Sequence, residues 1–554
     1  MASVESKPPF LILHRVMKIL KRFFLLAFLF VAGNAHAQST TIDVEHYAFH
    51  LELSDDDNTI KGRTEVTVRF TQPDVRAFSL DLIGDGDGQG MTVASVTRDK
   101  KSVPFSQANN QVNIELPAPA AANTVQTYSI SYQGTPEDGL IIAKNKYGER
   151  TFFGDNWPNR ARHWLPTNDH PSDKATVEFI VTAPEHYQVI GNGVMLEESD
   201  LLDGTRRTHW RTDIPIPTKV TVIGAAQFAV QHAGEFKDIP IQHWVYPQDR
   251  EAGFHDFGVT NDIMDFFIDN IGPYSYEKLA NVQSKTRYGG MENASNIFYS
   301  ERAISGDRSN ESLVAHEIAH QWFGNSATEA DWQHIWLSEG FATYFTQLYF
   351  EHAYGRERMV AGMQNAKKSV IGFYGRQPNA PLVNPDIKDP NQHLNANSYQ
   401  KGAWVLHMLR HAVGDEAYWT GIRSYYKKYR NGNATSEDLQ KEMEAASGKD
   451  LATFFKQWLY QAGQPMIKGS WSYADGKVTV KLNQTQKTGY FETPLEVAFV
   501  MADGSKEMKT IDLAGENTIY YLVADASPKQ VIFDPNTWLL ANFDVSAPAG
   551  AGGE

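Results

Sequence analysis

The chain has 554 residues, no Cys, and a formal net charge of -15, from 66 Asp and Glu against 51 Lys and Arg. That length predicts several domains, and zero Cys excludes any disulfide and the lipidated Cys of a bacterial lipoprotein. The negative balance argues against nucleic acid and against an anionic membrane surface, and is compatible with a substrate that carries a positive amine.

The N-terminus reads as a targeting segment. Lys18, Lys21 and Arg22 precede the apolar run Phe23 to Ala32, and Ala35-His-Ala37 offers small residues at the two positions a signal peptidase reads. The run is shorter than the ~18–20 residues of a spanning helix. Residues 1–37 are therefore expected to be a signal peptide, with Met17 as an alternative start. The mature chain is expected from about Gln38, exported to the periplasm or beyond, with no membrane span after cleavage.

From Thr41 to about Phe228 the hydrophobic period is two. Tyr47, Phe49, Leu51 and Leu53 alternate with polar or small residues, as do Val66, Val68 and Phe70, then Tyr128, Ile130 and Tyr132, then Val177, Phe179 and Val181. This predicts an antiparallel β-sandwich domain over 38–230. Asp85-Gly-Asp-Gly-Gln89 superficially suggests a calcium loop, but Val96 stands where the bidentate Glu should fall, so the stretch reads as a hairpin turn.

Around residue 250 the pattern becomes helical and stays so to about Tyr460, which predicts a mainly helical domain over 231–461. Its helices include Gly402 to His411, Ala417 to Tyr429, and Ser436 to Ala446 with Ser436 as N-cap. Ala462-Gly-Gln-Pro465 reads as a linker. Alternation then returns in Val478, Val480 and Leu482 and in Val497 and Phe499, predicting a small β domain over 466–545. The tail 546–554 is too poor in apolar side chains to order itself. The fold class expected is thus multidomain α+β.

Within the helical part, Asn310 to Gly324 predicts a helix, with Asn310 as N-cap, Glu311 in the first turn and Gly324 as stop. It contains His316-Glu-Ile-Ala-His320. At i and i+4 the two imidazoles share a face and can reach one metal ion, while Glu317 lies close enough to act on water beside it. Chance alone gives this pattern roughly a few times in a hundred such chains. A second helix predicted over Glu329 to Glu351 would carry Glu339 back against the first. Two imidazoles and one carboxylate, with a fourth position open, form a catalytic zinc set, not a structural one.

Two further stretches complete a pattern. Gly289-Gly-Met-Glu-Asn293 lets backbone approach a ligand and places Glu292 beside it, and Asn397-Ser-Tyr-Gln-Lys-Gly402 leads Tyr399 into a helix. On residue chemistry alone, a strand-edge turn and a packing tyrosine are the plainer readings of these two. Together with His316-Glu-Ile-Ala-His320, the following Gln321-Trp-Phe-Gly-Asn325 and Glu339-Gly-Phe-Ala342, they resemble the M1 zinc aminopeptidases of the gluzincin group, which also includes leukotriene A4 hydrolase. The likeness covers roughly residues 42 to 460.

The resemblance implies a thermolysin-like catalytic domain with one zinc per chain, held by His316, His320 and Glu339. It implies Glu317 as general base for the attacking water, Tyr399 as donor to the oxyanion, and Glu292 as anchor of the substrate's free α-amine. The Gly289-Gly290 backbone would lie along the bound peptide. Many family members add a Gln or Glu from the β domain as a second amine anchor, and Asp155 in Gly154-Asp-Asn-Trp-Pro158 is the candidate counterpart. The long C-terminal helical domain of larger members is not expected here, since only the small β domain is read after residue 465. Three alternatives stand beside an aminopeptidase: a zinc endopeptidase, an epoxide hydrolase of the leukotriene A4 hydrolase type, and a non-catalytic scaffold.

Overall fold

The computed structural model describes residues 41–86 and 88–547. The expected signal peptide, the expected mature start at Gln38, Asp87, and residues 548–554 of the expected tail lie outside the described residues, while Ser546, placed in that tail, ends the strand Asn542–Ser546.

The N-terminal part is built on one eight-stranded sheet. Its strands run in the order Val194–Asp200, Thr205–Pro217, Lys174–Pro184, Ile42–Glu52, Ile60–Phe70, Val125–Thr135, Gly90–Arg98 and Lys101–Ser102. The expected alternation is there: in Ile60–Phe70 the residues Val66, Val68 and Phe70 are buried and their neighbours are less so. Phe78, on a three-stranded sheet, meets Phe70 and Tyr128 of the large one at ring-centroid distances of 5.9 and 5.0 Å, so two sheets face each other across an aromatic core. One pairing corrects the expectation of a purely antiparallel domain. Ile42–Glu52 and Lys174–Pro184 run parallel. The chain between them is long enough to bring the later strand back in either sense, which a hairpin cannot do. The turn after Gly84 is a tight hairpin, with Gly86 and Gln89 exchanging backbone hydrogen bonds of 2.8 and 3.1 Å.

The next part is not helical from its start, which is a second correction. It opens with a mixed five-stranded sheet in the order Ala229–Phe236, Ile239–Val245, Leu279–Ser284, Asn296–Ser300 and Gly290–Met291. Every residue of Leu279–Ser284 is buried. The run before Gly289 reads in sequence as a possible strand, and the structure makes it one, covered on both faces.

The helices of this part are α1 (Arg250–Phe257), α2 (Thr260–Asn270), α3 (Glu311–Ala319), α4 (Trp336–Tyr354), α5 (Arg356–Tyr374), α6 (Gly402–Val413), α7 (Asp415–Tyr429), α8 (Ser436–Ser447) and α9 (Ala452–Phe455), of which α1 packs on Ile239–Val245 and α3 on Gly290–Met291. The helix expected from Glu329 begins only at Trp336, because Ala327–Glu329 pairs as a strand with Gly432–Ala434. The cap of α8 is Thr435, not Ser436. Its side chain accepts from the Asp438 N–H and Asp438 reciprocates, closing a capping box. Asn310 occupies the N-cap position of α3, but its side chain donates instead to the Ala303 carbonyl at 2.9 Å. Where α4 meets α6, Gly340 faces Gly402, and the missing side chains let the two backbones touch.

The C-terminal part comprises a four-stranded and a three-stranded sheet over Met466–Ser546. It is seated on α6 by Trp538, which stacks on His407 and His411 at 4.6 and 4.8 Å, while His407 Nε2 donates to the Thr537 carbonyl at 2.9 Å. Among the described residues no helix is long and apolar enough to cross a membrane.

Candidate active site

Helix α3 and the first turn of α4 bring His316, His320 and Glu339 together at one side of a cleft. The two Nε2 atoms lie 3.1 Å apart, and Glu339 Oε2 is 3.5 Å from His316 Nε2 and 3.4 Å from His320 Nε2. Ligands about 2.0–2.1 Å from a tetrahedral ion stand ~3.3–3.4 Å from one another. The triangle therefore has the size of a zinc site with one position open. Glu339 Oε2 is buried and has no hydrogen-bond partner among the described residues, as a ligand atom awaiting an ion would be.

His320 is oriented from behind. Its Nδ1 lies 3.2 Å from the Phe323 carbonyl and 3.0 Å from Ser338 Oγ, so Nδ1–H donates to the carbonyl and Nε2 is turned toward the triangle. Gly324, with φ of 112°, ends the helical run and leaves room for Ser338 to reach this nitrogen.

The electrostatics of the cleft call for positive charge. Burial opposes a charge on His320, yet Glu339, Glu292 and Glu317 outweigh it and push its pKa up to about 10. Burial would likewise raise Glu339, but His320 and His316 hold it below the ordinary carboxylate range. Glu317 goes the other way, raised well above that range by burial and by the neighbouring Glu292 and Glu339. Its carboxylate fills the space that a side chain on Gly290 would take. Tyr399 stacks on the His316 ring at 6.0 Å with 7° between planes. Burial, then Glu339, Glu292 and Glu317, raise its pKa well above that of a free phenol, so it keeps its proton.

Glu292 is fixed through its backbone. Gln321 Nε2 and Asn325 Nδ2, both just past α3, donate to its carbonyl at 2.9 and 2.5 Å. The side chain is 5% exposed, and its Oε1 is buried without a partner among the described residues. Gly289 and Gly290 line the same cleft, and Gly290–Met291 is the edge strand of its sheet, bonded on one side only. All the residues singled out by sequence thus converge on a cleft of about 720 Å³, with one exception.

The exception is Asp155. It is fully buried away from the cleft. Its Oδ1 accepts from Arg160 Nη2 at 2.6 Å, and its Oδ2 from the Arg287 N–H at 3.1 Å and Thr286 Oγ1 at 3.4 Å. Both oxygens are committed, so Asp155 is a strut between loops and offers nothing to an amine. Two residues on, Trp157 lines the cleft instead, packed edge-on against Tyr288 and Trp332 at 6.1 and 5.7 Å. Sequence reasoning also missed the opposite wall, made by Thr343, Thr346 and Gln347 of α4 and Asn365, Ala366 and Ser369 of α5. Their spacing of three and four residues is the signal that would have placed each set on one helix face.

Comparison with known proteins agrees with this architecture. Residues 43–220 match the Peptidase M1 N-terminal domain and residues 255–458 the Peptidase family M1 domain, together well over half of the chain. Probable aminopeptidase 2 of Sulfurisphaera tokodaii is 26% identical over 472 residues, covering 78% of this chain and 59% of that protein. Glutamyl aminopeptidase of Homo sapiens is 28% identical, covering 76% of this chain and 47% of its own length. Mitochondrial aminopeptidase 2 of Saccharomyces cerevisiae is 28% identical, covering 80% and 48%. The chain spans about half the length of these curated relatives. Both domain matches, in their order along the chain and over the cleft just described, establish that the chain belongs to peptidase family M1.

Proposed function

We propose that the protein is a zinc-dependent aminopeptidase that hydrolyses the first peptide bond of peptides with a free N-terminal amine. The observation that carries this reading is Glu292 Oε1, a buried acceptor without a partner, in the same cleft as the His316, His320 and Glu339 triangle. A buried carboxylate left unpaired is costly. A substrate ammonium would relieve that cost, whereas an extended chain crossing the site would leave it in place.

Held by His316, His320 and Glu339, zinc would supply Lewis acidity toward the scissile carbonyl and toward water. The chain's own residues supply the rest. Glu292 pairs with the α-amine and fixes where the chain begins. The free edge of Gly290–Met291 offers backbone groups to the peptide in strand fashion. Glu317 takes the proton of the attacking water and passes it to the departing amine. Tyr399, held as a neutral phenol, donates to the carbonyl oxygen as it gains charge. The leader pattern at residues 18–37 supports a place of action outside the cytoplasm.

A panel of aminoacyl fluorogenic amides, assayed with and without a chelator and beside N-acetylated peptides, tests this reading. Chelator-sensitive release from free amines alone is the expected result. Equal cleavage of the acetylated peptides would overturn it in favour of an endopeptidase.

A further inference from the structure

Lys401 is a buried base that the reaction just described does not use. It is 0% exposed and its partners are neutral: its Nζ donates to Tyr374 Oη at 2.8 Å and to the Gln461 carbonyl at 3.3 Å. Tyr374, the last residue of α5, donates its own hydroxyl proton to Asn397 Oδ1 at 2.8 Å, and Asn397 Nδ2 donates to the Pro381 carbonyl at 2.8 Å.

Asn397 and Lys401 are the first and last residues of a single π-helical turn, and Tyr399 is its middle residue. The turn is closed by the Lys401 N–H reaching back five residues to the Ala396 carbonyl at 2.9 Å. Such turns are locally unfavourable insertions that persist where the surrounding structure holds them. Here one hydroxyl, that of Tyr374, grips both ends of the turn.

A plain filler does not account for this lysine. An apolar side chain of similar length would fill the volume without the cost of burying an amine. Burial alone pushes the Lys401 amine down to about 7. A neutral amine carries two N–H bonds, and two acceptors are provided, so its hydrogen bonding closes without a counter-ion.

We propose that Lys401 is a positioning residue for Tyr399, acting through Tyr374 and Asn397 to hold the π-turn at the angle that aims the phenol at the reacting carbonyl. This rests on the reading of Tyr399 as oxyanion donor. Lys401 itself touches neither substrate nor metal.

The test is a set of double-mutant cycles on the full chain with a good aminoacyl amide. Lys401→Met keeps the length and removes both hydrogen bonds, and Tyr374→Phe removes only the hydroxyl that joins the ends of the turn. A misplacement near 1 Å costs about a hundredfold. Lys401→Met is expected to lower kcat by roughly tenfold to a hundredfold, with KM and zinc content near those of the parent. Introduced into Tyr399→Phe, either change should cost less than about twofold, because the group it positions is gone. If Lys401→Met fails to fold, Tyr374→Phe decides by the same criterion. Unchanged kcat in the single variants, or losses that persist in full beside Tyr399→Phe, would overturn the positioning role alone. A harmless Tyr399→Phe would overturn the oxyanion reading and this role with it.

Discussion

The contact between Gly340 and Gly402 gives a prediction whose size follows from distances. A Cβ on residue 340 would fall 2.8 Å from Gly402 Cα, 2.9 Å from its carbonyl carbon and 3.2 Å from the Ser398 carbonyl oxygen. Carbon atoms pack at about 3.5–4.0 Å, so α4 and α6 would have to part by roughly 0.7–1.2 Å. All three obstructing atoms are backbone, and no side-chain rotation relieves the clash. Overpacking of this kind costs about 1–3 kcal/mol, against about 1 kcal/mol gained from the better helix propensity of Ala. Net stability therefore falls only modestly, but the strain is aimed at the site. Gly340 directly follows Glu339, and Gly402 stands three residues after Tyr399, so the separation is imposed between the ligand and the phenol. A shift near 1 Å is expected to cost Gly340→Ala about a hundredfold in kcat. Gly372→Ala in α5 is the control. Its Cβ meets only Arg376 Nη1 at 3.9 Å, so it should gain about 0.5–1 kcal/mol and keep full activity. Steady-state kinetics, zinc content and calorimetric Tm on the same preparations make the comparison. A Gly340→Ala enzyme within about twofold of the parent kcat would refute the argument that the helix contact sets the site's geometry.

Glu317→Gln should keep zinc and lose turnover, whereas His320→Ala should lose the zinc. Elemental analysis showing equal zinc loss in both would contradict the division between base and ligand. Tyr399→Phe should lower kcat by about a hundredfold to a thousandfold with little change in KM, and a loss below about fivefold would return Tyr399 to packing. Glu292→Gln should raise KM for free-amine substrates, and an unchanged KM would remove Glu292 from amine binding. Burial drives His407 and His243 down to about 3 and about 4, so both are neutral in the native chain at pH 6. The unfolded chain takes up a proton on each below about pH 6.5. Their contribution is thus complete above that pH and is lost on acidification, at up to ~1.4 kcal/mol per pH unit for each. A Tm that stays flat between pH 6.5 and 4.5 would refute this.

The sequence by itself determined those parts of the molecule whose chemistry is local. Spacing of four along one helix put His316 and His320 on the same face whatever lay around them, and period two marked the sandwich strands because one of their faces is buried and the other is not. The flanking Gly289 to Asn293 and Tyr399 to Gly402 were legible as motifs, and the cleft gathers Gly289 to Glu292 and Tyr399 with Gln400 from them. Asp155 was misjudged because a carboxylate looks the same in sequence whether it is free or paired, and only the fold joined it to Arg160, Thr286 and Arg287.

What tertiary structure alone decided depends on contacts distant in sequence. Leu279–Ser284 was legible only as a possible strand, and its place inside the sheet, with every residue buried, came from the packing of other elements around it. The parallel return of Lys174–Pro184 beside Ile42–Glu52 was open until the chain had folded back. The distance from Glu339 to the two imidazoles is fixed by α4 crossing α3 and resting on α6 through a pair of glycines. The two ends of the π-turn under Tyr399 meet at the hydroxyl of Tyr374, more than twenty residues earlier. Residue types are carried by the chain locally, but orientation and partnership arise only when separate elements pack.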